Sequence, residues 1–178
     1  MNHFEQARIL ETFRVIVDTR EHSTPKASER FGAFGAPYER ATLSYGDYCG
    51  NITLPSGRFL HSLSGRISAP CVIERKMSLD ELAMCFTRER VRFQREFERA
   101  ARKKAKVFLL VENASWEAII NHRYRSRLHP DAFRASLEAW AIRYNMTPVF
   151  CRTGTAGILI RDFLYRDIKE RVENGEYG

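Results

Sequence analysis

Glu74 and Lys76 stand two residues apart in the run Ile73-Glu74-Arg75-Lys76. On a strand, side chains alternate between faces, so the pair would share one face and Arg75 would turn to the other or sit where the strand ends. A carboxylate beside an ammonium on one face is costly unless both are solvated or put to use. Phosphodiester hydrolysis is one such use. The carboxylate can hold Mg²⁺, which prefers oxygen ligands and keeps several waters. The lysine can orient or help deprotonate the attacking water and offset charge on the phosphate. One carboxylate makes a poor magnesium site, so partners are required. Asp47, after Gly46 at the end of a predicted strand, is one; Asp18 and Glu21, around Thr19-Arg20, and Asp80, four residues after Lys76, are others. Each signal has an ordinary alternative. Glu-Arg-Lys is a common surface triplet, Gly-Asp usually marks a turn, and an Asp in a first helical turn favours the helix dipole.

These residues depend on the elements around them. Phe13 to Asp18 reads as a first strand, Tyr38 to Leu43 as a second, and Cys71 to Lys76 as a short strand opened by strong β formers. Residues 19–37 are polar and Gly-rich and read as a long loop, with Lys26, Arg30, Phe31 and Phe34 placed to close over a substrate. Residues 49–63 read as a hairpin around Pro55-Ser56-Gly57, and 65–70 as a loop. Ser78 with Glu81 forms a predicted capping box for a helix with Leu79, Leu82, Ala83 and Phe86 on its apolar stripe. Further helices are expected near 3–11, 88–104, 115–122, 130–144 and 155–172, and further strands at 107–111 and 147–151. Strands first, then alternating helices and strands, predict an α/β fold with a central mixed sheet flanked by helices, in one domain over 1–178.

Three blocks, Val17-Asp18-Thr19-Arg20-Glu21, Leu43-Ser44-Tyr45-Gly46-Asp47-Tyr48 and Val72-Ile73-Glu74-Arg75-Lys76-Met77-Ser78-Leu79-Asp80-Glu81-Leu82, occur in that order. They resemble the signature blocks of the excision-repair cross-complementing nuclease domain of the XPF family, V-x-D-x-R-E, G-D and E-R-K-x-x-x-D. Arg90 and Gln94 resemble its following R-x-x-x-Q helix, and Lys106 to Glu112 its next strand. The likeness covers roughly residues 13–150, with the signature blocks inside 13–112. It implies a restriction-endonuclease-like core of the PD-(D/E)XK superfamily, in which Asp47 and Glu74 bind Mg²⁺ or Mn²⁺ and Lys76 is catalytic. Arg75, Asp80, Asp18, Arg20 and Glu21 would complete or border the site. Relatives cut DNA flaps, forks or bubbles near a duplex–single-strand junction, which implies repair or recombination. After residue 151 there is room for little more than one helix, so the paired helix-hairpin-helix units of many relatives are not expected.

Charge agrees with a DNA partner. The formal net charge is +7 and the pI about 9.5, as expected of a domain with a polyanionic partner. On a helix, Arg88, Arg92, Arg95, Arg99 and Arg102 recur every three or four residues and form one basic stripe. Arg90 and Gln94 fall on another face, toward the predicted site. Arg123, Arg125 and Arg127 form a second basic patch in a loop where Tyr124 could stack on a base. The four cysteines make no CxxC pair, which argues against a zinc site. His122 and His129 have no local acid or Cys to share a metal, and Trp140 and its neighbours read as core. No apolar run spans a membrane and the N-terminus does not read as a signal peptide, so an intracellular protein is expected. The reading is a metal-dependent endodeoxyribonuclease; its alternative is a DNA-binding module or positioning subunit that cuts nothing. A homodimer or a protein partner stays open.

Overall fold

The computed structural model describes residues 2–177. Strands form where β-branched and aliphatic residues run together: β1 (Arg14–Asp18), β2 (Tyr38–Leu43), β3 (Tyr48–Asn51), the two-residue β4 (Arg66–Ile67), β5 (Cys71–Lys76), β6 (Lys106–Glu112) and β7 (Met146–Cys151). They make one seven-stranded sheet in the order β4-β2-β1-β3-β5-β6-β7. β1 runs parallel to β2 and antiparallel to β3, β3 antiparallel to β5, and β5, β6 and β7 run parallel. The expected mixed sheet is therefore present.

Helices cover both faces. They are α1 (His3–Glu11), α2 (Pro25–Gly32), α3 (Leu79–Phe86), α4 (Arg90–Arg102), α5 (Trp116–Ile120), α6 (Pro130–Arg143) and α7 (Thr153–Glu173). On one face Ile16, Val72, Leu109 and Val111 pack with Leu82, Phe86, Phe93, Phe97, Leu137 and Trp140 of α3, α4 and α6. On the other Val15, Val17, Ile73 and Leu110 pack with Ile9, Phe31, Ile160 and Leu164 of α1, α2 and α7. Successive residues of β5 thus feed opposite cores, as period-two alternation requires.

Three expectations need correction. The stretch 19–37 is not one loop, because Thr24 caps α2 by accepting the Ala27 N–H at 3.1 Å and Pro25 occupies the first turn. Arg30, Phe31 and Phe34 are buried beneath it, so they cannot close over a substrate; only Lys26 of that set is exposed. The hairpin at 49–63 shrinks to a single bridge between Thr53 and Phe59, while Arg66 and Ile67, in the supposed loop, pair with Thr42 and Leu43 as β4. At α3 the Ser78 hydroxyl accepts the Glu81 N–H, but the Glu81 carboxylate returns to Met77 rather than to Ser78.

α2 lies so close to α7 that Gly157 has no room for a side chain. A methyl there would come 2.2 Å from the Arg30 carbonyl oxygen and 2.8 Å from the Ala33 Cβ. Gly157→Ala should therefore cost roughly 1–3 kcal/mol through overpacking, lowering the melting temperature by roughly 2–12 °C. Gly154→Ala, where a Cβ meets nothing within 4 Å, is the control and should melt no lower than the parent. Equal melting of both variants would show that the helices can part freely.

Candidate active site

The end of β5 carries the chemistry, and alternation divides it between the two faces. On the α3–α4–α6 face, Lys76 Nζ lies 2.6 Å from Glu74 Oε1, with both side chains largely buried. The Lys76 ammonium also lies 5.0 Å from the centre of the Phe93 ring on α4. Asp47 joins this pair through backbone geometry. Its N–H donates to the Ile73 carbonyl, and its Oδ2 accepts the Arg75 N–H at 2.7 Å, so its carboxylate is pinned beside β5. Gly46 makes that approach possible. It adopts φ +72°, and a Cβ there would lie 2.8 Å from the Val72 Cβ.

The electrostatics follow from crowding. Burial, then the neighbouring Glu74 charge, pushes the Asp47 carboxyl well above the usual range, and Lys76 only partly opposes them. For Lys76 burial pulls the other way, yet Glu74 and Asp47 outweigh it and hold the ammonium above its ordinary value. A third carboxylate, unforeseen from sequence, comes from α4. Glu96 lines the same small cleft as Glu74, together with Tyr45, Gly46 and Phe97, and burial and then Glu74 raise its carboxyl. Its only sequence signal is its helical position between Phe93 and Phe97, on the side that faces the sheet.

Arg20 ties this face to β1. Its Nε donates to Asp18 Oδ1 at 2.7 Å, and its NH2 lies 3.7 Å from Glu96 Oε1. Asp18 is fully buried; its Oδ2 accepts the Leu43 N–H at 2.6 Å, which clamps the ends of β1 and β2 together.

Arg75 turns to the opposite face, as alternation predicts. Its Nε donates to Glu112 Oε1 at 2.6 Å, and the Arg30 guanidinium lies 3.9 Å from the same oxygen. Arg30 also donates to Glu21 at 2.9 Å and to the Tyr48 hydroxyl at 3.0 Å, and Tyr48 donates in turn to Glu21 at 2.7 Å. Glu21 therefore belongs to a buried network behind the sheet. Sequence reasoning gave Tyr48 and Glu112 no role and placed Arg30 in a closing loop, since the partners of all three come from distant elements.

Several expected residues lie outside the cluster. Asp80 is not brought to Glu74. Its carboxylate accepts the backbone N–H groups of Arg125 and Ser126, both at 2.8 Å, and tethers that loop to α3. Arg90 is exposed, donating to the Phe86 carbonyl and lying 5.9 Å from the centre of the Trp140 ring, and Gln94 donates to Glu98. Arg92, Arg95 and Arg99 lie on an exposed stripe, although Arg92 pairs with Glu89 and Arg99 donates to the Ser44 carbonyl. Arg123, Arg125 and Arg127 are exposed, while Tyr124 is half-buried, packed against Phe133 and His122, and donates to the Leu128 carbonyl. All four cysteines are free thiols.

Among the described residues, no three His, Cys, Asp or Glu side chains are gathered at metal-ligand spacing. Two adjacent carboxylates, Asp47 and Glu74, nevertheless suit Mg²⁺, which commonly takes one or two carboxylates and completes its shell with water and substrate phosphate.

Two measurements test this layout. Glu112→Ala would leave two buried guanidiniums without their shared carboxylate and should cost about 3–5 kcal/mol in denaturant unfolding; a loss under about 1 kcal/mol, the scale of an exposed pair, would mean that the network is solvated. For Asp80, burial pushes the carboxyl up, but the Ser126 and Arg125 N–H groups and the Arg125 guanidinium hold it below its ordinary value. Its contribution is thus fully present above about pH 4 and lost as the pH falls through the depressed folded value. The melting-temperature gap between the parent and Asp80→Asn should be widest at neutral pH and close in acid. A gap that widens in acid would contradict the tether.

The ERCC4 domain family model matches residues 17–159. No curated protein matches the chain. Among solved structures, XPF from Aeropyrum pernix superposes with a TM-score of 0.61 at 20% identity, covering 92% of this chain and 69% of that one. The same organism's XPF in complex with DNA gives a TM-score of 0.60 at 22% identity over 88% and 65% of the two chains. These two likenesses extend the expected fold to most of the chain. With the family model spanning all three signature blocks, the chain belongs to the ERCC4 domain family of nuclease domains.

Proposed function

We propose that this protein is a Mg²⁺- or Mn²⁺-dependent endodeoxyribonuclease that hydrolyses phosphodiester bonds in branched, flap or single-strand-containing DNA during repair or recombination. The observation that carries the reading is the buried Glu74–Lys76 pair with the Asp47 carboxylate held beside it by the Arg75 N–H. Family membership and a structurally similar XPF from Aeropyrum pernix in complex with DNA support it.

Asp47 and Glu74 would hold the ion. When bound, it supplies Lewis-acid polarisation of the phosphate and a more acidic bound water. The chain's own residues do the rest. Lys76, held above its ordinary value by Glu74 and Asp47, would position the attacking water and offer a counter-charge to the phosphoryl oxygens. Glu96 adds a third carboxylate across the cleft, and its 3.7 Å ion pair with Arg20 braces the outer wall. Asp18 secures the strand ends that carry Arg20 and Asp47. Behind the sheet, Arg75, Glu112, Arg30, Tyr48 and Glu21 keep β5 in register. Arg92, Arg95 and Arg99 would follow a phosphate backbone.

The test separates metal binding from chemistry. Mg²⁺ at about 100 times its Kd stabilises a binding-competent protein by about 2.7 kcal/mol, a rise of roughly 5–11 °C in melting temperature. Asp47→Asn should abolish that rise. Lys76→Ala should keep it and yet lose on the order of 10²–10³-fold in cleavage rate, and Glu74→Gln should lose both. Undiminished cleavage by the Lys76 or Glu74 variant would sink the assignment. Salt-sensitive DNA binding with no cleavage of flap, fork, gapped or plain duplex in Mn²⁺ would establish the alternative, a binding module that cuts nothing.

A further inference from the structure

A groove of about 1120 Å³ begins at Met77, the residue after Lys76, and runs along α3 to the loop at 125–129. Its floor is apolar, with Met77 60% and Met84 37% exposed and Leu128 beside them. Its rim is basic, with Arg88, Arg125 and Arg127 lining it. Arg88 reaches back to the Met84 sulfur at 3.1 Å, so its guanidinium lies along the floor. The Arg125 side chain is 94% exposed, and its 3.3 Å contact with Asp80 is a solvent-screened one. The groove's acids are engaged with backbone: Asp80 by Arg125 and Ser126, Glu81 by Met77. Asp80 is thus the residue that builds the far wall.

We propose that this groove seats the single-stranded arm of the DNA substrate. The inference rests on the nuclease reading, which supplies DNA as the ligand. The combination of floor and rim selects the strand. A duplex presents phosphates outward and hides its base faces, so an exposed apolar floor offers it nothing. A single strand presents both, and flexible, polarisable methionines accept any base without sequence preference. The guanidiniums meet its phosphates. The floor begins at Met77, the residue after Lys76, so the groove follows next along the chain from the strand that carries the Glu74–Lys76 pair.

Binding is measured in EDTA, where no cleavage occurs, by fluorescence anisotropy with labelled oligothymidylate of about 15 nucleotides and a duplex of equal length. Arg88→Ala/Arg125→Ala/Arg127→Ala should weaken oligothymidylate binding at least about tenfold and lower its log–log salt slope by about two, at about 0.7 per phosphate contact. Met84→Ser should weaken oligothymidylate binding without changing the salt slope. Duplex binding should stay within about twofold for both variants, since general charge attraction survives on α4. Equal loss on both probes, or none on either, overturns the proposal. A second readout works on the unmodified protein: 4-thiothymidine oligonucleotides should photo-crosslink to peptides within 77–88 and 125–128, and crosslinks confined to other segments overturn it. An unmodified protein that cuts flaps while crosslinking elsewhere defeats the groove alone. One that crosslinks in the groove yet cuts nothing defeats the nuclease reading alone.

Discussion

A carboxylate and an ammonium buried together at the end of one strand impose a demand on everything around them. Each charge alone would be expelled from that environment, and their mutual attraction offsets desolvation only while they stay in contact and keep further partners. Glu74 and Lys76 meet this demand at 2.6 Å, with the Phe93 ring facing the ammonium and the Asp47 carboxylate beside both. Three acids now surround Lys76, counting Glu96 across the cleft, with Arg20 3.7 Å from Glu96. Burial, and then the neighbouring Glu74 charge, drive the Asp47 and Glu96 carboxyls upward. Such a cluster is poised for a ligand more than for stability.

The same strand solves the problem of holding that cluster still. Arg75, between Glu74 and Lys76, must project the other way, and there it engages Glu112 of the neighbouring strand. Arg30, on α2, approaches the same carboxylate and adds Glu21 and Tyr48. A buried ionic lattice behind the sheet therefore backs a buried ionic cluster in front of it. The Glu-Arg-Lys triplet is one device with two faces: its outer members face the cleft and its middle member anchors the strand. The contact of α2 with Gly157 on α7 belongs to the same device, since it sets where Arg30 can reach.

Much of this was legible in the sequence because it is local. Period-two alternation alone assigns Glu74 and Lys76 to one face and Arg75 to the other, and runs such as Val15-Ile16-Val17 and Val107 to Val111 announce buried strands. Gly46 before Asp47 signals a turn that only glycine accommodates at so close an approach. Of the helix starts, Ser78 was read and Thr24-Pro25 was not. The latter carries an N-cap and an N1 proline, but the low hydrophobicity of 19–37 obscured it, and α2 buries only Ala27, Arg30 and Phe31.

The residues that sequence alone misplaced are those whose partners lie far along the chain. Asp80 resembles a site residue by spacing, yet its carboxylate closes on a loop 45 residues later. Glu96 resembles a surface acid on a basic helix, yet packing of Phe93 and Phe97 against the sheet rotates it into the cleft. Glu112 ends a strand unremarkably until Arg75 and Arg30 converge on it. Sequence by itself determined the strand alternation, which follows from nearest-neighbour geometry, and the order of the signature blocks, whose resemblance to a known family implied the fold and the grouping of Asp47 with Glu74 and Lys76. Only tertiary structure decided which carboxylates face that nucleus and which brace it, because a side chain's charge environment is set by whatever the other elements bring within a few ångströms.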